Sequence, residues 1–417
     1  MAKRIIAIAI IFACTTVAWM ILGATILVRT DTQDRTLKER VGQLWGVAQV
    51  QTAPSFYYET KRQVQECSIQ DNKTITRLQT VVERHDLELD ASSVKVNLKL
   101  DYRKKGLLWY STYKVHFSGA YTIANPTNAR QSISCNFHLP ASQAIYDNVQ
   151  LQVGKRVVET IRPSGDLITE SLELEPGESS PVSISYDSQG LDKWNYCLGS
   201  GVCQIKNFVL EMTTNFSDID FPSGCISPTD ESRDGSGWLL TWRYKNLLTG
   251  YEIGMDMPKK LNPGPWVSKV TFFAPVSLFL FFFLLFMITT VKEIKLHPMN
   301  YFFIGAGFFS FHLLLAYLID HVPVEVAFPI CAVVSVALVI SYMRLVVSNR
   351  FAYVEVGISQ LIYLVLFSYT FFFEQYTGLI ITILCIITLF VMMQYTGRID
   401  WNEVFSRNFR PVKPAGE

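Results

Sequence analysis

Three ionisable residues in the C-terminal part of this chain are of types that could support proton or ion transfer: His312, Arg344 and Glu355. Each lies within or beside a long apolar run, where ionisable groups are costly and often functional. A proton or ligand relay would require several such groups along its path. The polar residues that could accompany His312, in "FSFHLLLAY", are Ser310, Gln360 and Tyr363.

Arg344 and Glu355 stand at the adjoining ends of two successive apolar runs, so their side chains are expected at comparable depth and could form a pair. Such a pair would clamp one helix to another and would need no transport role. Alternatively, Arg344 could extend its side chain to the lipid headgroups.

Five of the eight cysteines lie within residues 29–266 and form the second group of candidate reactive residues. In "YCLGSGVC" the glycines between Cys197 and Cys203 let the chain reverse, which predicts a disulfide between them in an oxidising compartment. The spacing contains no C-x-x-C, so a zinc or redox site is not indicated. The sequence does not assign partners to the other three, which are Cys67, Cys135 and Cys225.

Other catalytic patterns are absent from the sequence. We find no H-E-x-x-H, no phosphate-binding glycine loop and no G-x-S-x-G, so we expect no enzymatic activity, no cofactor and no metal site. The net charge of +1 gives no indication of nucleic-acid binding. Four tryptophans could form a sugar- or peptide-binding platform, although alternating strands favour a place in the core: Trp109, Trp194, Trp238 and Trp242.

The elements that position these residues divide the chain in two. Six charge-free runs are long enough to cross a bilayer as helices, which takes roughly 17–25 residues each. The first exceeds the ~7–15 apolar residues of a signal peptide, and no cleavage site follows, so we interpret it as a retained anchor. The predicted spans are Ile5–Val28, Val270–Val291, Pro298–Ile319, Val326–Met343, Val356–Phe373 and Thr377–Thr396.

Positive residues flank these spans on alternate sides, and such residues are retained in the cytoplasm. We therefore expect both termini in the cytoplasm and residues 29–266 in the periplasm. In "KLHPM", no metal-ligating or catalytic residue lies near His297. This residue is therefore expected to begin the third span, with Pro298 in its first turn. The flanking positive residues are Lys3, Arg4, Lys292, Lys295, Arg344, Arg350, Arg398, Arg407, Arg410 and Lys413.

Residues 29–266 have the period-two pattern of half-buried strands. Val94, Val96 and Leu98 alternate with polar residues, and a similar pattern follows the turn "RKKG". We predict a large all-β, sandwich-like and antiparallel domain, with "DTQDRTLKERVGQLWG" as a short helix or linker before it. The predicted divisions are an anchor at 1–28, this domain at 29–266, a five-helix membrane domain at 267–397 and a cytoplasmic tail at 398–417.

The segment "KLHPMNYFFIGAGFFSFHLLLAYLIDH" closely resembles the third span of the CreD family of bacterial inner-membrane proteins, also called colicin-tolerance proteins. Further segments are similar to the same family: "DYRKKGLLWYSTYKVHFSGAY", "FVLEMTTNFSDIDFP", "SGWLLTWRYKNLLTG" and "GRIDW". The resemblance implies an inner-membrane protein connected with envelope integrity. It implies no catalytic or ligand-binding residues, and "GQLWGVAQV" and the cysteines at 197, 203 and 225 depart from the family pattern.

These observations favour an envelope-integrity protein that acts by binding or scaffolding a periplasmic protein or glycan. The alternative is a transport component or an accessory subunit of an export system, and a hydrolase is disfavoured. The lipid bilayer is an expected partner. Assembly as a homo-oligomer stays open.

Overall fold

In this computed structural model of the chain, the described residues are 2–70, 73–106, 108–199, 201–373 and 375–397; the side chains of residues 2 and 65–78 fall outside them. Cys67 and the basic residues from Arg398 onward therefore lie outside the description. The chain divides into two compact units. One joins the residues before Thr36 to those after Lys260, and the other, the β domain, comprises Thr36–Lys260.

Six helices of the described chain are long and apolar enough to span a membrane, which confirms the predicted arrangement of one span before the β domain and five after it. The third begins as expected, since His297 caps it by accepting a hydrogen bond from the Met299 backbone N–H at 3.3 Å, and Pro298 is in its first turn. The helices are α1 (Ala2–Trp45), α2 (Pro263–Val291), α3 (Pro298–Leu318), α4 (Val324–Val346), α5 (Phe351–Phe372) and α6 (Thr377–Thr396).

Helix α1 is longer than the predicted anchor. It has 44 residues and continues through the segment that we expected to be a short helix or linker. That segment is rich in Leu, Lys, Arg, Glu and Gln, all of which favour helix. The helix ends before Gly46, which has a φ of +101° and whose Cα lies so near the Gln189 carbonyl that a Cβ would be 2.2 Å from its oxygen.

The membrane helices pack through aromatic side chains and close backbone approaches. The indole N–H of Trp266 donates to the Phe371 carbonyl at 2.9 Å, which ties α2 to α5. A Cβ at Gly307 would lie 2.4 Å from the Val339 side chain, so only glycine permits this contact between α3 and α4. Helix α5 is irregular, with π-helical turns at Phe351–Gly357 and Leu361–Leu366. Such turns often accompany functional sites.

The β domain is a sandwich. Its strands are β1 (Gln49–Thr52), β2 (Ser55–Gln70), β3 (Lys73–Leu87), β4 (Ala91–Leu100), β5 (Arg103–Lys105), β6 (Leu108–Tyr110), β7 (Thr112–Ala124), β8 (Gln131–His138), β9 (Tyr146–Val153), β10 (Arg156–Val157), β11 (Leu167–Leu174), β12 (Ser179–Leu191), β13 (Lys193–Cys197), β14 (Cys203–Thr214), β15 (Asp230–Asp234), β16 (Gly237–Thr249) and β17 (Ile253–Asp256). Its eight-stranded sheet has the order β10-β9-β12-β7-β4-β14-β16-β15, and a four-stranded sheet has the order β11-β8-β2-β3. Buried residues of both sheets belong to one core, in which the rings of Phe117 and Phe137 lie 6.4 Å apart. Trp194 and Trp242 are also in this core, whereas Trp109 and Trp238 are only partly buried.

The sheets are mixed rather than purely antiparallel, which corrects our expectation. β4 pairs with β14 in parallel, as does β1 with β13 in a three-stranded sheet completed by β17. These strands are far apart in sequence, so no hairpin fixes their direction.

Candidate functional site

A polar cleft lies on the eight-stranded sheet, on the face turned away from the core. It is formed where β9, β12, β7 and β4 run side by side, and its volume is about 510 Å³. We call it the His116 cleft. Its lining residues are Asn97, Lys99, Lys114, Val115, His116, Ile145, Asp147, Asp187, Ser188 and Gln189.

The register of the strands explains why polar side chains gather here. His116 of β7 lies opposite Asn97 of β4 on one side and opposite Asp187 of β12 on the other. Because side chains alternate between the two faces of a strand, partners in register share one face. The intervening residues point into the core, and Val115 and Phe117 are accordingly buried.

Asp187 organises the centre of the cleft. One carboxylate oxygen lies 2.7 Å from Nδ1 of His116, and the other accepts a hydrogen bond from the amide of Asn148 at 2.7 Å. The Asn148 amide and the His116 imidazole hold the pKa of Asp187 below its ordinary value. Among the described residues, none forms a hydrogen bond with Nε2 of His116. The imidazole is thus held in one orientation, with a nitrogen left for another partner.

Two lysines supply positive charge beside this centre. Lys99 of β4 and Lys114 of β7 are direct partners in the strand register, and both are exposed. Like charges placed directly opposite each other destabilise a sheet. Within the described part of the chain, neither lysine is ion-paired. An anion bound between them would relieve this repulsion.

On the core side of this sheet, hydrogen bonds of Ser188 join β12 to β1 and to the chain just before β9. Ser188, which is buried, accepts a hydrogen bond from the Gln49 amide at 2.8 Å and donates to the Ile145 carbonyl at 2.8 Å. Asp147 adds a carboxylate at the rim. The arrangement is therefore suited to a ligand that offers an anionic group to the lysines and a hydroxyl or amine to Asp147.

The described residues contain no group of three or more His, Cys, Asp or Glu side chains placed to hold a metal ion. His116 is also not joined to a hydroxyl or thiol by any hydrogen bond among these residues. The histidine and the carboxylate of the cleft are groups that can hydrogen-bond a polar ligand.

The cleft is not evident from the sequence. Lys99, Lys114 and His116 each alternate with apolar residues and have the pattern of an ordinary solvated strand face. The available signal was the repetition of that pattern, since "VNLKL" and "YKVHF" both place polar residues two apart. Only the pairing of β4 with β7 shows that the polar residues of the two strands lie side by side on one face of the sheet.

His312 is fully enclosed within the membrane helices. It is 1% exposed, its Nδ1 lies 3.3 Å from the Phe308 carbonyl, and its ring meets the edge of Trp19 at 5.6 Å between centroids. Its Nε2 has no hydrogen-bond partner among the described residues. The three polar residues that could have accompanied His312 form hydrogen bonds with other groups: Ser310 with the Gly307 carbonyl, Gln360 with Ser335, and Tyr363 with Thr388.

The predicted pair of Arg344 and Glu355 is not formed. Glu355 instead forms an ion pair with Lys292, at the end of α2. Arg344 contacts the Tyr353 hydroxyl at 3.4 Å. Similar depth did not determine the partner, because the end of α2 brings Lys292 to the first turns of α5.

Cys197 and Cys203 lie at the two ends of their glycine-containing turn, close enough for the charge of Cys197 to help burial raise the pKa of the Cys203 thiol. Both are free thiols in the structure, where Cys197 Sγ lies 3.2 Å from the Gly199 carbonyl. The disulfide is therefore not formed here and stays a prediction. Cys135 and Cys225 are free as well.

One apolar helix, a large β domain and five further helices define a multi-pass membrane protein with a single large domain between its first and second spans. A sequence-family profile described as inner membrane protein CreD matches residues 1–402. The chain therefore belongs to the CreD family of inner membrane proteins, which confirms the resemblance noted above.

No curated protein matches this chain significantly. Among solved structures, a crystal structure of a candidate nutrient binding protein from Legionella pneumophila is 13% identical, covers 46% of this chain and 71% of its own, and has a TM-score of 0.30. A likeness at this level carries no argument about function.

Proposed function

We propose that this protein contributes to cell envelope integrity, as stress or colicin tolerance, by binding a periplasmic partner in the His116 cleft without catalysis. The single observation that carries the proposal is the pair of opposed lysines, Lys99 and Lys114, beside an oriented imidazole. An anionic glycan matches this chemistry best, because its carboxylate or phosphate suits the lysines and its hydroxyls suit Asp147.

The proposal requires the β domain to face the periplasm. The distribution of positive residues supports this orientation. Lys292 and Lys295 lie in the α2–α3 connection, and Arg350 lies just before α5. The α3–α4 connection contains Asp320 and no Lys or Arg. By the positive-inside rule, both termini are cytoplasmic and the β domain, which follows α1, is periplasmic.

A crosslinking experiment on the full-length protein in cells tests the proposal. A photoreactive residue replaces Asn97 in the cleft, and the matched control places it at Lys155, an exposed position in the turn after β9. We expect a reproducible glycan adduct from position 97 only. A protein adduct at position 97 would keep the binding role but change the partner class. Equal labelling at both positions, or none, would contradict the proposal.

Complementation provides a second readout. In a strain that lacks the protein, a Lys99→Gln/Lys114→Gln variant should fail to restore resistance to envelope stress, whereas Lys155→Gln should restore it. Both variants should reach the membrane in equal amounts, since exposed lysines contribute little to stability. Full resistance with the double variant would exclude the cleft from the function.

A transport role is the second candidate, and one observation favours it. Gln360 is fully buried between the membrane helices, donates to Ser335 at 3.1 Å, and has an amide oxygen with no partner among the described residues. Unpartnered polar atoms at membrane depth often line substrate paths. Changing His312 to Leu should abolish function if the helices transport a substrate and should leave it intact if the cleft alone acts.

A further inference from the structure

A groove between α1 and α2 is lined only by apolar side chains. Its volume is about 300 Å³. The residues that form it include Ile5, Ile8 and Phe12 of α1 and Phe279, Phe283 and Met287 of α2. Ile5 and Phe279 are 42% and 54% exposed, so the groove opens on the outer surface of two helices that are apolar enough to span a membrane.

Arg4 lies at one end of this groove, next to Ile5. Its Nη2 donates to the hydroxyls of Thr289 and Tyr301, both at 3.2 Å, and both of these residues are fully buried. The guanidinium also lies 5.5 Å from the ring centroid of Phe286, which itself lines the groove. The charge is thus fixed at the point where the apolar groove ends.

The charge of Arg4 is not balanced within the described part of the protein. No carboxylate there forms an ion pair with it, and its Nε is buried without a hydrogen-bond partner. The other arginine of α1 that contacts the membrane helices, Arg29, is paired with Asp320 at 3.0 Å. Arg4 is partly buried, and a charge in such a place without an ion-pair partner is costly, which neutral hydroxyls only partly offset. An external anion would satisfy Arg4.

We propose that the groove binds one anionic phospholipid, with its phosphate on Arg4 and one acyl chain along α1 and α2. The residues Ile5 to Phe12 cover about two helical turns, or roughly 11 Å, which suits the part of an acyl chain nearest the headgroup. A free phosphate would use only Arg4. The apolar lining therefore favours a lipid, and this site is separate from the His116 cleft.

Lipid retention by the full-length protein tests this inference. The protein is reconstituted in nanodiscs with equal amounts of phosphatidylglycerol and phosphatidylcholine, and the lipids that stay bound after release are identified by native mass spectrometry. We expect one retained phosphatidylglycerol. Arg4→Gln should lower its retention by about tenfold or more, as expected for loss of a charge-assisted contact.

Two further variants make the outcome unambiguous. Ala9→Trp fills the groove and keeps Arg4, so it should displace the lipid without changing the charge at the helix end. Arg344→Gln removes an arginine outside the groove and should retain the lipid as the wild type does. Equal retention by the wild type, Arg4→Gln and Ala9→Trp would overturn the proposal. An equal loss in Arg344→Gln would do so too, because it would indicate a nonspecific charge effect.

Discussion

The carboxylate of Glu355 forms an ion pair with the ammonium group of Lys292. Lys292 immediately follows α2, and Glu355 lies in the first π-helical turns of α5, so the pair joins the second and fifth membrane helices. The Glu355 side chain is 15% exposed and its second oxygen, Oε2, has no partner among the described residues. The pair thus fixes the end of α5, a helix whose backbone is irregular.

Removing either charge of this pair should destabilise the membrane helices. We expect Glu355→Gln and Lys292→Gln each to lower stability by about 1 kcal/mol, and the double variant to lower it by little more than either one, because the residues act together. The measurement is a double-mutant cycle on unfolding in detergent. Arg344→Gln is the control, and its effect should add to that of Glu355→Gln. A coupling between Arg344 and Glu355 would show that the pairing differs from the structure.

The membrane spans were predictable because each is a long run without charge, and a single local property determines it. The alternation of Val94, Val96 and Leu98 likewise indicated strands directly. The parallel pairing of β4 with β14 was not predictable, since about a hundred residues separate the two strands and no turn connects them. Local patterns identify elements, whereas the pairing of distant elements depends on packing.

The same limit explains the candidate sites. Glu355 was expected at the depth of Arg344 as a possible partner, yet the choice between Arg344 and Lys292 depends on which helix ends meet. Similarly, His116 and Asp187 lie on strands that are paired in space but distant in the chain. Residue type indicated where charge must be balanced. Only the fold identified the balancing group.

Cys225 should react slowly with thiol reagents despite its partial exposure. Burial, followed by the charge of Glu252, raises its pKa to about 11. Because the thiolate is the reactive form, we expect its alkylation by iodoacetamide at pH 8 to be slow and to rise about tenfold per pH unit. Peptide mass spectrometry after timed labelling of the folded protein measures this rate.

The control for that experiment is Cys135, which is buried and whose pKa is raised to about 12 by burial and by Glu170. It should stay unlabelled over the same interval and react only after unfolding. A rate for Cys225 that levels off below pH 9 would contradict the environment seen here.

Asp187 should stabilise the β domain only when it is ionised. Its pKa lies below the ordinary value because Asn148 and His116 bind the charged form. Its contribution is therefore present above the pKa of the unfolded chain and is lost as the pH falls through the folded value. We expect Asp187→Asn to lower the unfolding temperature slightly at pH 7, since the site is near the surface, and progressively less at acidic pH. A difference that persists unchanged at acidic pH would contradict this assignment.

Asp256, at the end of β17, should have the opposite pH dependence, because its contribution to stability is present when the carboxyl is protonated. Burial is the largest cause of a raised pKa at Asp256, and the nearby charge of Asp220 raises it further. The folded state therefore favours the protonated carboxyl, so this group's contribution is present below the pKa of the unfolded chain and is lost as the pH rises through the folded value. We expect Asp256→Asn to raise the unfolding temperature of the β domain at pH 7 and to leave it unchanged at acidic pH. Asp220→Asn should produce a smaller rise of the same sign, because it removes only the neighbouring charge. Thermal unfolding of the full-length protein in detergent, followed from pH 3 to pH 8, measures both effects.

A lower unfolding temperature for Asp256→Asn at pH 7 would contradict this prediction. It would mean that the neighbours Lys193 and Lys259 stabilise the carboxylate more than burial penalises it.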